Sequence, residues 1–324
     1  GLVKSLHAST ICGVPPISAF LTSPITYAVL AAALSATVAL YLINAWLNSR
    51  FLNNATVAAF DWDREIVVVT GGAGGIGGKT VLQLAKNRGT RVVVLDIIGL
   101  TYEKPDNVFY YRCDLTKYDE LQAVAAQIRN DVGNPTVIVA NAGICRGKSL
   151  LVAEPRDIQM TFGVNVIGLI WTIKTFLPHL VATNHGHILI MSSQTAFHTT
   201  AGGTDYSASK AATVSIYEGL HTELKHTYGA RAVRVSVLKP SHVQTEMFKG
   251  IQSVPGMASI TADALAQRVV QVLYSGRSQD LFVPQMMSFS TVIRSLPQWC
   301  RVLLQDMTAS AFVNLDPHDP TTKS

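Results

Sequence analysis

The stretch that most limits the fold is EIVVVTGGAGGIGG, residues 65–78. An unbroken β-branched run ends on a cluster of glycines. A run of this kind, bounded by a turn signal, is a strand buried on both faces. Such a strand needs helices above and below it. From residue 65 onward the same texture recurs: RVVVLD (91–96), VFYYRCD (108–114), TVIVANAG (136–143), HILIMSS (187–193), AVRVSVLKP (232–240) and DLFVP (280–284) read as strands. Helical spacing falls between them, at 79–87, 119–131 and 209–228. Strand–helix alternation of this kind predicts an α/β fold, a doubly wound parallel sheet of Rossmann type, as a single domain.

The segment before this domain is different. No Asp, Glu, Lys or Arg occurs between Lys4 and Arg50. Within that gap, residues 25–47 form a continuous apolar run that would make a helix of about 34 Å, enough for a hydrocarbon core of about 30 Å. Tyr27, Tyr41 and Trp46 stand towards its ends, where amphipathic rings favour the interface. The run predicts a membrane anchor, with a cleaved signal peptide as the rival. The expected organisation is therefore 1–60 as an anchor-bearing segment, 61–284 as the catalytic domain and 285–324 as an apolar helix and polar tail. That last helix, in SLPQWCRVLLQDM, would either pack on the domain or lie on a membrane. Arg50 and Arg64 against Lys4 place the domain on the cytosolic side. Asn54-Ala55-Thr56 is a glycosylation sequon, usable only on the luminal side.

Composition excludes several classes. The net charge of +5 is scattered over 324 residues, with 15% charged residues and no basic run, so no nucleic-acid stripe is present. Cys12, Cys113, Cys145 and Cys300 are far apart and make neither a zinc ligand spacing nor a disulfide framework.

The glycine turn, residues 70–78, joins the first strand to a helix. Glycines there permit a tight turn and a close approach of backbone to a pyrophosphate at the helix N-terminus. Asp96 ends the second strand, 19 residues after Gly77. A carboxylate at that place accepts hydrogen bonds from ribose hydroxyls and repels a 2′-phosphate. Gly74 brings no basic side chain to offset it. The expected cofactor is NAD, with NADP as the alternative.

With these residues in place the chain resembles the short-chain dehydrogenase/reductase family, over about residues 65–284. The shared features are Gly71, Gly75, Ile76 and Gly77 in the turn, Asp114 in RCDLT, Asn141 and Gly143 in NAG, Asn165 in GVNVIG, Ser193 thirteen residues before Tyr206, Lys210 in YSASK, and Val243 and Thr245 in KPSHVQTEM. Ser241 departs from the pattern, which usually has glycine there. The resemblance implies that Asp114 contacts the adenine, that Val243 and Thr245 lie near the nicotinamide amide, and that Asn165 holds a water linking Lys210 to solvent. Lys174 is a further basic cofactor contact by resemblance. The resemblance also implies a homodimer. The anchor and apolar C-terminus look like the membrane-associated branch of retinol and hydroxysteroid dehydrogenases, found at the endoplasmic reticulum and lipid droplets.

The chemistry follows from the residue types. A phenol with a pKa near 10 becomes a base near neutrality only if the phenolate is favoured by neighbouring positive charge. Lys210, one helical turn from Tyr206, and an oxidised nicotinamide supply that charge. Tyr206 then exchanges a proton with the substrate oxygen, and Ser193 orients that oxygen. The apolar stretch 243–259, with Met247, Phe248, Ile251, Val254, Pro255 and Met257, would cover the site and favour a lipophilic alcohol or carbonyl: a retinoid, sterol or long-chain alcohol. Two alternatives stand beside this reading. One is an NADPH-dependent carbonyl reductase, the other an inactive nucleotide-binding membrane scaffold.

Overall fold

The computed structural model describes residues 24–315 apart from Arg88, Pro255 and Gly256. Lys4, Cys12, Pro255 and the polar tail from 316 onward lie outside the described residues. Contacts divide the chain into two units, with the boundary between Phe51 and Leu52.

In the first unit, helix α1 (Pro24–Leu52) has 29 residues and buries none of them. At 1.5 Å per residue it is about 43 Å long. Its only basic residue in the last turn is Arg50, which stands over the Trp46 ring at 5.7 Å. A helix that is apolar all round and unburied by protein is long and apolar enough to cross a membrane. The stretch Pro155–Thr183 has the same length and a similar character, but close to half of it is buried inside the second unit. It is a core helix.

The second unit is built on seven parallel strands: β1 (Ile66–Thr70), β2 (Arg91–Asp96), β3 (Val108–Arg112), β4 (Val137–Ala140), β5 (His187–Met191), β6 (Arg234–Pro240) and β9 (Asp280–Val283). They run in the order β3-β2-β1-β4-β5-β6-β9. All seven strands expected from the sequence are present. The third and fourth end earlier than expected, so that Cys113, Asp114 and Asn141 to Gly143 sit in loops beyond the sheet. A two-stranded ribbon, β7 (His242–Gln244) with β8 (Ser259–Thr261), follows β6.

The strand order reverses between β1 and β4, whose ends Thr70 and Ala140 are in register. Outside such a switch point the two connections diverge and leave a crevice. Helices α2 (Gly75–Leu84) and α7 (Ala262–Tyr274) cover one face of the sheet, packing on Val67, Val69, Val92 and Val94. Helices α3 (Tyr118–Asp131), α5 (Leu169–Thr183) and α6 (Thr204–His226) cover the other, over Val68, Val93, Ile138 and Ile188. The valine-rich strands thus point alternate residues into two separate cores, the pattern expected of a doubly covered sheet.

Helix α4 (Pro155–Phe162) and α5 are joined by a π turn, Gly163–Gly168, a feature that often falls at functional sites. Helices α8 (Ser290–Ile293) and α9 (Gln298–Thr308) complete the described chain. The C-terminal segment packs on this unit, since Met287, Ile293, Ala311, Phe312 and Leu315 are buried. At the opposite end of the sheet, Arg234 is fully buried. Its guanidinium donates to the carbonyls of Asn53, Thr56 and Gly276 and to Thr56 Oγ1. His221 Nε2 meets the Leu52 carbonyl at 3.0 Å. The chain entering the domain is thereby fixed to the start of β6.

Candidate active site

The glycine turn is shaped by close packing of backbone on backbone. Gly71 has φ +64°, and a Cβ there would stand 2.8 Å from Ala142 Cα. A Cβ on Gly77 would lie 2.1 Å from the Gly71 carbonyl oxygen and 2.6 Å from Asn141 Nδ2. No other residue fits at position 77. Helix α2 begins at Gly75, four residues before the expected start, because these glycines tolerate the tight entry. Its first N–H groups, on Gly75, Ile76 and Gly77, have no acceptor within the helix. They are donors suited to a phosphate.

The neighbouring loops hold the turn. Asn141 donates its side-chain amide to the Thr70 and Gly71 carbonyls, at 3.1 Å each. Thr70 Oγ1 accepts from the Asn141 and Ala142 amides. Asp96 accepts from the Ala73 amide at 2.9 Å and from the Ile98 amide at 3.3 Å. Burial pushes the Asp96 carboxyl above its usual pKa, against the pull of these backbone donors. Asp96 therefore braces the turn besides facing the crevice end of β2. Two residues the sequence did not single out do similar work: Thr101 donates to the Ala73 carbonyl and Tyr102 to the Gly72 carbonyl.

Asp114 closes its own loop, accepting from the Thr116 amide and hydroxyl. Lys174 is exposed on α5, with its ammonium 5.4 Å from the Tyr118 ring centroid. Val243 is buried and Thr245 half-buried just past the end of β6.

Ser193, Tyr206, Lys210 and Asn165 converge at the C-terminal ends of β4 to β6. Helix α6 begins at Thr204, five residues earlier than the spacing suggested, which puts Tyr206 in its first turn. Asp205, also in that turn, is buried and accepts from Thr161 Oγ1. Lys210 follows one turn later with its Nζ 5.7 Å from the Tyr206 ring centroid. That ammonium donates to the Met191 carbonyl at 3.0 Å. Burial lowers the Lys210 pKa to about 8.

Tyr206 is almost wholly buried. Burial raises its pKa above the ordinary phenol value, the Cys145 thiol adds to the rise, and only a hydrogen bond with Ser193 opposes it. Lys210 alone does not turn the phenol into a base. Ser193 Oγ accepts from both the amide and the hydroxyl of Thr195. Its own proton is thus left to point at Tyr206 and whatever oxygen lies beside it.

Asn165 lies inside the π turn, almost wholly buried. Its side chain accepts from the Ile144 amide and donates to the Ile144 carbonyl and to Ser209 Oγ. It ties the loop after β4 to α6, with both amide protons engaged. Gly143 sits beneath: a Cβ there would come within 3.3 Å of both Asn165 Oδ1 and Lys210 Nζ. The α2 N-terminus, Gly143 and Lys210 thus all lie at the C-terminal ends of the strands, by the β1–β4 switch point. Helix amides and an ammonium that donate, with a carboxylate that accepts, fit a dinucleotide there.

Beside Tyr206 a cavity of about 150 Å³ opens, lined among others by Ser193, Ser241, His242, Phe248, Val254 and Met257. Met247, Phe248, Ile251 and Met257 pack with Tyr206, as expected of the segment after β6. Phe248 meets the Tyr206 ring edge-on at 5.9 Å. Sequence reasoning missed the opposite wall, which comes from the C-terminus: Ile293, Leu304, Met307, Ala311 and Phe312. His198 also lines this cavity, with Nε2 2.8 Å from Thr308 Oγ1.

Comparison with known proteins fits this geometry. The short chain dehydrogenase family model matches residues 65–255. Dehydrogenase RED2 of Cochliobolus heterostrophus is 35% identical over 209 residues, 62% of this chain and 77% of that protein. Epidermal retinol dehydrogenase 2 of Homo sapiens is 28% identical over 254 residues, 75% of this chain and 81% of that one. A closed form of serine dehydrogenase complexed with NADP+ superposes with a TM-score of 0.59 at 22% identity, covering 67% of this chain and 93% of that one. The chain belongs to the short-chain dehydrogenase/reductase family. It is an oxidoreductase that uses a nicotinamide cofactor on a small-molecule substrate.

Proposed function

We propose that this protein is a membrane-associated dehydrogenase/reductase that interconverts a lipophilic alcohol and its carbonyl, with NAD as cofactor. The observation that carries the reading is the meeting of Ser193, Tyr206 and Lys210 at one end of a largely apolar cavity. A nicotinamide cofactor held by the α2 amides, Asp96 and Lys210 would supply the hydride chemistry and, when oxidised, a positive charge.

The protein's own groups handle the proton. Ser193, with its lone pairs occupied by Thr195, donates to the substrate oxygen and holds the carbinol or carbonyl carbon in place. Tyr206 gives its proton to the oxygen in reduction and takes it back in oxidation. The raised phenol pKa keeps Tyr206 protonated in the protein alone, the form from which reduction starts. Oxidation needs the extra positive charge to draw the phenol towards its anion. Lys210 is placed to hold a ribose hydroxyl while its ammonium faces the phenol ring. Asp96 at the end of β2 supports NAD, because a second negative group beside this carboxylate would be repelled.

The apolar cavity supports a lipophilic substrate, and α1 supports a location at a membrane where such molecules partition. The similarity to epidermal retinol dehydrogenase 2 agrees with a retinoid-like, sterol-like or long-chain alcohol. Tyr206→Phe tests the chemistry. Turnover of long-chain alcohols by the purified full chain should fall by about 10²–10⁴-fold, with NAD binding by calorimetry unchanged. Turnover unaffected by the substitution would remove the mechanism.

A further inference from the structure

We infer that the outer face of α8 and α9 is a lipid-docking surface, through which the catalytic cavity takes its substrate directly from a bilayer. This rests on the proposed lipophilic substrate and deepens it. Trp299, Leu303 and Met307 recur at four-residue intervals on α9 and are 70%, 54% and 47% exposed. They form one continuous stripe, since residues four apart share a helix face. Met286, Phe289 and Val292, three apart, add a second exposed apolar row. Soluble proteins rarely leave contiguous apolar surface of this kind open.

Two of these side chains, Phe289 and Met307, also line the cavity. The exposed stripe and the mouth of the cavity are therefore one surface.

Three observations favour lipid as the occupant. The chain carries α1, long and apolar enough to cross a membrane, and Leu52 to Thr56 is pinned to the domain directly after it by His221 and Arg234. That pinning lies at the start of β9, where the Ser278 amide donates to Asn53 Oδ1. The α8–α9 surface begins just past the other end of β9, at Pro284. The point of entry and the apolar surface are the two ends of one edge strand, so a domain resting on that edge brings both to a membrane. The stripe also carries Trp299, with Arg301 close in sequence, the residue types that suit a headgroup region. A second protein copy seated there would cover the cavity mouth, whereas lipid in which the substrate dissolves would feed it.

The test uses the full chain in phosphatidylcholine vesicles. Cys12 and Cys300 are changed to Ser, leaving only the buried Cys113 and Cys145. A nitroxide is then placed at Leu303→Cys, with Leu151→Cys and Asp119→Cys as comparison sites. At position 303, collisions with oxygen should exceed those with a water-soluble nickel chelate by at least tenfold relative to position 119. Equal, water-like collisions at 303 and 119, or lipid exposure at 151 in place of 303, would overturn the proposal. So would shielding from both probes with a doubled particle mass, which would put a second copy on this face. As a second measurement, Trp299→Glu/Leu303→Glu should raise KM about tenfold for a long-chain alcohol supplied in vesicles, with kcat unchanged. Kinetics on a short water-soluble alcohol should not move. A parallel loss on both substrates would indicate a merely structural role and reject the idea. Failure to oxidise any alcohol would reject the proposed reaction instead, and the collision measurement would still decide docking.

Discussion

At the residue scale the central fact is a buried ammonium beside a buried phenol. Lys210 has a folded-state pKa of about 8, against an ordinary 10.5. Its charge is held at a cost, which at pH 7 is about 3 kcal/mol by the usual conversion. The sign follows from proton counts. Between pH 8 and pH 10.5 the unfolded chain keeps this proton while the folded chain releases it, so stability rises with pH across that window. The urea midpoint in detergent should therefore gain from pH 7.5 to 9.5 relative to Lys210→Met. The variant itself should be the more stable protein at pH 7, with turnover lost. A midpoint difference independent of pH would contradict the burial argument.

Asp96 makes a second residue-scale prediction. The native protein should prefer NAD, and Asp96→Ala should lower that preference by about tenfold, as read from kcat/KM with each cofactor. That is the equivalent of one lost hydrogen bond to a charged group, about 1.5 kcal/mol. Adding Gly74→Arg to supply a basic partner would meet Thr101, whose Oγ1 lies 3.1 Å from an ideal Cβ at 74. A native preference for NADP would reject the assignment.

At the scale of elements, the turn between β1 and α2 admits almost no variation. Gly77→Ala places a methyl group 2.1 Å from the Gly71 carbonyl, so the turn must open. Because Asn141 and Asp96 both hold that turn, the distortion will spread to the adjacent loops. Binding of NAD should fall by more than tenfold in calorimetry, and the thermal midpoint should drop by several degrees. Binding at native strength would show that the helix start does not hold the pyrophosphate. The π turn at Gly163–Gly168 is the other element with a purpose: it carries Asn165 inward to join the loop after β4 to α6. Helical periodicity alone would not have announced it, since a π turn depends on which tertiary contacts the inserted residue gains.

At the scale of the molecule, Arg234 couples the entry of the chain to the sheet. It is fully buried and its partners are carbonyls and a hydroxyl. Arg234→Met leaves those acceptors buried without donors, and about 3 kcal/mol should be lost. The expected signs are a lower urea midpoint and new proteolytic cleavage near residues 52–57. Turnover measured below the transition should be kept, because the clamp lies at the opposite end of the strands from Tyr206.

The order of the strands, the glycine turn and the set of Ser193, Tyr206 and Lys210 that the fold brings together were legible in the chain. The reason is physical. Strand burial, helix entry and proton transfer each demand particular residue types at short, fixed spacing, and TGGAGGIGG or YSASK carries that demand locally. Tertiary structure alone decided the rest. Thr101 and Phe312 became part of the site only because distant segments close on it, and no spacing along the chain encodes such closure. Burial likewise raises the phenol's pKa, and burial is a property of the surrounding volume.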